Sequence, residues 1–206
     1  IGQKYIVAVD DERIADVLRV YKIPFLFTDQ NHISGTSRIA EVAEIMPNYS
    51  FYCLVQGDEP LIDPSEVEQF IRYGEGKAFP YLNAICKFSE MEDPSDKANV
   101  KAVISNSGRL IYVSRNIVPL AYSNAKVQYY QVCGLYMFSK EFITHYKHLP
   151  VSKLEAIERI EQLRCLEYDI EIQTKEISGE MLSVDTSADF KKVSAIPSKK
   201  FTMGVI

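Results

Sequence analysis

The chain has 206 residues, of which 47% are hydrophobic and 25% are charged, and its formal net charge is −5. This composition is typical of a globular protein, and the length corresponds to one full-sized domain. The negative charge gives no electrostatic reason to expect binding to nucleic acid or to an anionic membrane. No apolar stretch approaches the roughly 20 residues that cross a bilayer. We therefore expect no nucleic-acid partner and no membrane partner.

The four cysteines lie far apart along the chain, and no two of them form a Cys-x-x-Cys pair. This spacing favours buried free thiols in a reducing compartment over a disulfide or a metal site. The first residues also lack the basic and then apolar layout of a secretion signal. We therefore predict a cytoplasmic protein.

Predicted strands and helices alternate along the first third of the chain. The strands cover residues 5–9, 24–27 and 51–55. The helices cover residues 12–20, 37–45 and 64–72. Asp10 or Asp11 caps the first helix, and Pro64 stands in the first turn of the third. This alternation predicts an α/β fold built on a parallel sheet with right-handed connections.

The middle of the chain is rich in strands instead. Strand patterns follow one another over residues 82–88, 101–104, 110–113 and 129–138. Asn106-Ser107-Gly108 forms a hairpin turn between the second and the third. Consecutive strands predict a small antiparallel lobe within about residues 82–138, which we expect to mediate dimerisation.

Helical patterns return at the end of the chain. They cover residues 140–147, a long amphipathic stretch over 153–168, and a last helix over 187–195 that follows a strand at 171–176. We assign residues 1–196 to one domain and residues 197–206 to a C-terminal tail.

The most informative stretch is Gln56-Gly57-Asp58-Glu59-Pro60, which directly follows the predicted buried strand 51–55. Open α/β sheets bind their ligands at the carboxyl edge of the strands. Carboxylate oxygens at that edge suit Mg²⁺, which commonly bridges to substrate phosphates. A polar turn that only closes the strand would explain the same residues, and the two interpretations stay open on this motif alone.

Other candidate residues have an ordinary structural explanation beside a functional one. Ser34-Gly35-Thr36 is either a ligand-contacting turn or the cap of a helix. Asp185 is either a ligand or the cap of the last helix. Arg115, after a strand, would suit a carboxylate or lie on the surface. Glu161 and Gln162 would by default be solvated residues beside the apolar stripe of their helix.

Seven short motifs stand out along the chain: Val9-Asp10-Asp11-Glu12-Arg13-Ile14, Ser34-Gly35-Thr36 with Arg38, Gln56-Gly57-Asp58-Glu59-Pro60, Tyr112-Val113-Ser114-Arg115, Leu154-Glu155, Glu161-Gln162-Leu163-Arg164 and Val184-Asp185-Thr186. They follow one another in the order found in one family, and the chain resembles the CMP-3-deoxy-manno-octulosonate cytidylyltransferases (CMP-KDO synthetases).

The resemblance implies a three-layer α/β sandwich with a mostly parallel central sheet, like that of nucleotide-diphospho-sugar transferases. It implies a homodimer that forms CMP-KDO and pyrophosphate from CTP and a 3-deoxy-2-ulosonic acid, for lipopolysaccharide or capsule synthesis. The implied catalytic residues, which are also Mg²⁺ ligands, are Asp58 and Asp185. The implied nucleotide-binding residues are Ser34, Gly35, Thr36, Arg38 and Gln56. The implied sugar-binding residues are Arg115, Tyr136, Glu161 and Gln162.

Two departures from the family pattern matter. Gln131-Val132 stands where the family strand reads Lys-His, which implies a relative of KDO as substrate or KDO held differently. The family's first strand, its Arg- and Gly-rich phosphate loop and the following helix have no counterpart ahead of Ile1. We expect a fragment, or a partner that supplies this part, with weak or no catalysis from the 206 residues alone. We also expect an exposed edge or a gap in the sheet.

Two other functions remain open. The absent phosphate loop would suit a degenerate nucleotide- or sugar-binding homologue without turnover, whereas Asp58, Asp185 and Arg115 favour an enzyme. A cytidylyltransferase for a neuraminate-like acid is the other alternative, and the helix motif that begins at Glu161 favours the KDO branch over it.

Overall fold

The computed structural model describes residues 5–88, 93–124, 126–178, 183–184 and 186–196. The strands are β1 (Val7–Val9), β2 (Phe25–Phe27), β3 (Phe51–Val55), β4 (Tyr81–Lys87), β5 (Lys101–Ile104), β6 (Leu110–Ser114), β7 (Tyr130–Ser139) and β8 (Ile172–Glu176). The helices are α1 (Glu12–Val20), α2 (Gly35–Ile45), α3 (Pro64–Glu75), α4 (Lys140–Tyr146), α5 (Lys153–Glu158), α6 (Glu161–Glu167) and α7 (Ser187–Ser194). The predicted tail lies outside the described residues.

Short polar side chains set the start of most helices. Asp11 caps α1 by accepting the Arg13 N–H at 2.8 Å, so the second of the two predicted aspartates is the cap. Ser34 caps α2. Thr186 caps α7 in a capping box with Asp189. These side chains satisfy amide groups that have no partner within the helix.

The main sheet has six strands in the order β6-β5-β7-β4-β8, with β3 paired to β7. Strand β7 runs antiparallel to β3, β4 and β5, so these three share one direction. Strand β8 joins them because it is parallel to β4, whereas β6 is antiparallel to β5. Most strands of the sheet therefore point the same way. The strands predicted as an antiparallel lobe belong to this sheet, which the β5–β6 hairpin extends at one edge.

A second sheet consists of β1 and β2, which pair in parallel. Among the described residues, no strand forms hydrogen bonds with both β1 and β3, although α2 packs against both of them. The predicted alternation is therefore interrupted between β1 and β3. From the sequence we expected either an exposed edge or a gap in the sheet, and this interruption corresponds to the gap.

The long helix predicted over residues 153–168 is wrong, because the structure divides it into α5 and α6. Arg159 takes the left-handed conformation (φ 54°, ψ 49°), and Ile160 is extended. This break turns Ile160 into the core, where it is 3% exposed, and leaves Ile157 75% exposed. The spacing of apolar residues fits one continuous helix. In the structure, however, Ile160, Leu163 and Cys165 are buried, whereas Ile157 is exposed.

Helices cover both faces of the main sheet. One face packs on α2, α4 and α6 through a large cluster that includes Tyr81, Phe138 and Leu163. The other face packs on α3 through a cluster that includes Phe70 and Met137. The result is a three-layer α/β sandwich, as predicted. All four cysteines are free. In the described part of the chain, each helix is too short or too polar to cross a membrane.

A buried ion pair joins α5 to α6. The Arg164 guanidinium donates to the Glu155 carboxylate at 2.6 Å from Nε and 2.5 Å from a terminal nitrogen. Both side chains are less than 10% exposed. The two short helices therefore depend on this bidentate pair to keep their angle.

We expect Arg164→Met to lower the free energy of unfolding by about 3–5 kcal/mol, because it leaves the Glu155 carboxylate buried without its counter-ion. Urea denaturation measures this change. The control is Arg72→Met, which removes the exposed Arg72–Glu68 pair and should cost no more than about 1 kcal/mol. Equal losses in the two variants would show that the buried pair does not hold the helices together.

Candidate active site

A cavity of about 200 Å³ opens along one edge of β7. Strand β3 ends at Val55, opposite Leu135, and β5 begins at Lys101, opposite Gln131. Both strands pair with the same edge of β7, one after the other. Between them, residues 132–134 of β7 face loops instead of a strand at this edge. The Gln56 N–H donates to the Gly134 carbonyl at 2.8 Å across this stretch. The cavity therefore lies at the carboxyl end of β3, where the sequence placed the ligand site.

The Gln56–Glu59 turn is fastened to β7 through a buried carboxylate. Glu59, 7% exposed, accepts the Gly134 N–H at 3.2 Å and the Ser183 hydroxyl at 2.8 Å. A Cβ atom on Gly134 would lie 2.7 Å from the Glu59 Cγ and 2.8 Å from the Gln56 Oε1. Glycine is therefore required here for close approach. Glu59 is therefore a structural anchor of this turn.

Asp58 lines the cavity with a partly buried side chain. Its backbone carbonyl accepts the Val184 N–H at 2.8 Å, which brings the residue preceding Asp185 beside it. Asp185 itself lies outside the described residues. Because Thr186 caps α7, that helix does not need Asp185 as its cap.

The donor chemistry of the cavity fits Mg²⁺. In the described part of the chain, no group of three or more His, Cys, Asp and Glu side chains is arranged to hold a metal. Magnesium is commonly held by only one or two carboxylates, with water and substrate phosphate oxygens as its remaining ligands. Asp58 is such a carboxylate, so the site suits an ion bound together with substrate.

Glu161, the first residue of α6, connects the cavity to the start of α2. Its Oε2 accepts the Thr36 N–H at 3.2 Å. Burial raises the pKa of Glu161, while hydrogen bonding from Thr36 and Ser34 partly offsets that rise. The default expectation of a solvated Glu161 is therefore wrong, and its carboxylate borders both the cavity and the Ser34-Gly35-Thr36 segment.

A buried amide network forms the base of the cavity. Gln162, 4% exposed, donates from Nε2 to the Asn83 Oδ1 at 3.0 Å. Asn83 donates in turn to the Ala84 carbonyl at 2.8 Å. Burial raises the pKa of Tyr136, and a hydrogen bond with Gln162 opposes that shift. Because buried polar groups are costly without partners, this network fixes the orientation of Gln162 and Tyr136.

Arg115 and Lys101 hold the opposite wall. The Arg115 guanidinium donates to the Glu158 and Lys97 carbonyls at 2.8 and 2.9 Å. The fully buried Lys101 ammonium donates to the carbonyls of Asp96, Asn99 and Arg115 at 2.8, 2.7 and 2.6 Å. Sequence reasoning missed Lys101, because a strand lysine is normally exposed and nothing in its local pattern distinguishes it.

The predicted nucleotide residues occupy the neighbouring wall rather than the cavity itself, apart from Gln56. Ser34 caps α2, and a Cβ on Gly35 would lie 3.2 Å from the Leu54 side chain. Arg38 donates to the Asp10 carboxylate at 2.5 Å and to the Thr28 hydroxyl at 2.6 Å. The structure thus brings together Gln56, Asp58, Arg115, Tyr136, Glu161 and Gln162 around the cavity.

Arg159 also lines the cavity. Its position there was not predictable from the sequence, because the pattern predicted one uninterrupted helix over this residue. Gln131 and Val132, the two departures from the family strand, both line the cavity. A second cavity, of about 350 Å³, is bordered by residues 109–111 and 166–171. None of the predicted site residues borders it, so its larger volume does not make it the better candidate.

Comparison with known proteins points to one family. The cytidylyltransferase family model matches residues 1–176. The 3-deoxy-manno-octulosonate cytidylyltransferase of Fusobacterium nucleatum is 34% identical over 189 residues, which are 91% of this chain and 77% of that protein. The enzyme of the same name from Solibacter usitatus is 34% identical over 204 residues, covering 97% of this chain and 80% of the relative.

Solved structures agree as well. A CMP:2-keto-3-deoxy-manno-octonic acid synthetase complexed with CTP superposes with a TM-score of 0.88 at 30% identity, over 96% of this chain and 82% of that one. A glucose-1-phosphate thymidylyltransferase from Bacillus anthracis, at 15% identity and a TM-score of 0.62 over 92% of this chain and 74% of that one, shares the fold alone. Together with the family model, these matches show that the chain belongs to the cytidylyltransferase family and is a nucleotidyltransferase.

Proposed function

We propose that this chain transfers the cytidylyl group of CTP to KDO or to a close relative among the 3-deoxy-2-ulosonic acids. The anomeric hydroxyl of the sugar attacks the α-phosphorus, the bond from that phosphorus to the bridging oxygen breaks, and pyrophosphate leaves. The observation that supports this proposal most is the cavity at the end of β3, which Asp58, Glu161 and Gln162 all line. Phosphoryl transfer depends mainly on positioning and on neutralising charge, and these residues can contribute to both.

We further propose Asp58 and Asp185 as the residues that hold Mg²⁺. The bond from the Val184 N–H to the Asp58 carbonyl supports the pairing, because it anchors the segment just before Asp185 at this turn. When bound, the ion would supply charge neutralisation at the phosphates of CTP.

The remaining cavity residues suit a polyhydroxylated sugar. Glu161 offers carboxylate oxygens, and Gln162 and Tyr136 offer amide and hydroxyl groups whose orientation is fixed by the buried network. Ser34, Gly35, Thr36 and Gln56 are proposed to contact the nucleotide. Arg38 would act beside them by holding the Asp10 and Thr28 side of that wall.

We place the reaction in the cytoplasm and in lipopolysaccharide or capsule synthesis, and we propose a homodimer. The four free cysteines support a reducing compartment. Exposed apolar side chains at and beyond the edge strand β6 support the dimer: Ile111 is 51% exposed and Leu120 is 76% exposed. Such residues at a sheet edge are suited to burial against a second copy.

The proposal predicts that the chain, given CTP, KDO and MgCl₂, forms CMP-KDO together with pyrophosphate. Mass spectrometry detects the nucleotide sugar even when turnover is slow, and a coupled assay measures pyrophosphate. Asp58→Asn should lower the rate by at least about 100-fold, because it removes a charge that acts at the phosphates. Asp16→Asn, an exposed change on α1, is the matched control. The proposal is refuted if the unaltered chain forms no product and also binds neither CTP nor KDO. Full activity in Asp58→Asn would refute it as well.

A second prediction concerns the sugar. Because the Val132 side chain, which lines the cavity, has no hydrogen-bond donor, acceptor or charge, we expect kcat/KM to differ by roughly tenfold between KDO and its close relatives, equivalent to about 1.4 kcal/mol. Val132→His should change that ratio. Equal kcat/KM for all the acids, in both proteins, would count against a specificity role for this wall.

A third prediction concerns Glu161. Since burial raises its pKa in the folded protein, its contribution to stability is fully present below the ordinary glutamate pKa and is lost as pH rises through the raised value. Glu161→Gln should therefore be more stable than the wild type at pH 7 to 8, with no gain below about pH 4, while its turnover falls. Denaturation at several pH values measures this, with the exposed Glu75→Gln as the control. A stability difference that does not depend on pH would contradict the assignment.

A further inference from the structure

If the cavity binds an acidic sugar, as the function proposed above requires, a positively charged side chain must balance the charge of the sugar carboxylate. Three carboxylates line it, on Asp58, Glu59 and Glu161. A sugar carboxylate would enter against this negative charge unless a guanidinium or ammonium received it. Among the described lining residues, the only cationic side chains are Arg115 and Arg159.

Arg115 is largely engaged by the protein itself. Its Nε donates to the Glu158 carbonyl, and one terminal nitrogen reaches the Lys97 and Ala98 carbonyls at 2.9 and 3.4 Å. The other terminal nitrogen donates to the Arg159 carbonyl at 3.4 Å. A guanidinium has five N–H groups, so these contacts leave too few for a bidentate grip on a ligand. Arg115 thus shapes the wall and adds charge to it.

Arg159 is arranged differently. It joins α5 to α6, and its side chain is exposed at the cavity. No hydrogen bond or ion pair joins its guanidinium to any residue that the structure describes. Its backbone is fixed all the same, because its N–H donates to the Glu155 carbonyl at 2.7 Å and its carbonyl accepts from Arg115. The backbone at φ 54° is one that glycine adopts more readily.

We propose that Arg159 binds the carboxylate of the sugar acid and determines specificity for acidic sugars. A free guanidinium on a fixed backbone can offer two parallel N–H groups to a carboxylate, which is the geometry that arginine favours. Arg115 lies alongside through the Arg159 carbonyl and adds charge without needing to release its own contacts. Arg115 therefore positions the wall of the cavity, and Arg159 binds the ligand.

Titration calorimetry tests this assignment. The chain is saturated with α,β-methylene CTP and MgCl₂, which blocks turnover, and is then titrated with KDO or with the neutral C1 amide of KDO. Arg159→Gly should weaken KDO binding by tenfold or more and leave amide binding within twofold. Arg159→Lys should retain part of the affinity for KDO, because it keeps the charge without the fork.

The backbone effect has its own control. Lys22 has the same left-handed conformation (φ 56°) and does not line the cavity, so Lys22→Gly should leave KDO binding unchanged. Since glycine suits this conformation, Arg159→Gly should also melt no lower than the wild type. KDO binding within twofold of the wild type in Arg159→Gly would overturn the assignment while leaving the proposed function intact, and so would equal loss of KDO and amide. A wild-type protein that binds neither ligand would overturn both.

Discussion

The fold of this chain depends on the close contact between β7 and the turn that ends β3. At Gly134 the backbone donates to the buried Glu59 carboxylate and accepts from the Gln56 N–H. A buried carboxylate is costly unless hydrogen bonds satisfy it, and Glu59 obtains them from β7 and from Ser183. The absence of a side chain on Gly134 allows this approach. The contact aligns β3 with β7 and leaves Asp58 beside the cavity.

The other walls of the cavity are held by charged side chains that bind backbone carbonyls. Lys101 and Arg115 together fasten residues 96–99 and the start of the α5–α6 connection. The Glu155–Arg164 pair fixes the two helices themselves. Because these charges are satisfied by rigid groups, the walls are organised before any ligand arrives, which lowers the entropy that binding must overcome. The backbone of Arg159 is fixed by its bonds to Glu155 and Arg115. These bonds set where its exposed guanidinium begins, although the guanidinium itself has no bonding partner among the described residues.

Local patterns made much of the fold predictable. The hairpin turn at Gly108, the caps at Asp11 and Ser34, and the strands β3, β5 and β7 follow from short-range signals in the sequence. The position of Asp58 at a strand end was predictable for the same reason. Its role as a ligand site is implied by the order of the motifs and stays a prediction.

Features that depend on tertiary packing could not be predicted in this way. The spacing of apolar residues over 153–168 fits one continuous helix. In the structure the helix breaks at Arg159, and this break allows Ile160 to be buried in the core. The burial of Lys101 depends on three carbonyls from two separate segments. Arg38 belongs to a family motif, but its partner Asp10 lies 28 residues away. The ligand role of Asp185 stays a prediction, since that residue lies outside the described part of the chain.

The central claim is that one cavity, at the carboxyl end of β3, receives the sugar acid beside the nucleotide. Hydrogen–deuterium exchange with and without KDO, in the presence of α,β-methylene CTP and MgCl₂, tests it most directly. We expect slower exchange over residues 98–100, 131–136 and 159–162, which border this cavity, and no change over residues 109–111 and 166–171, which border the larger one. Protection confined to the second set would contradict the account.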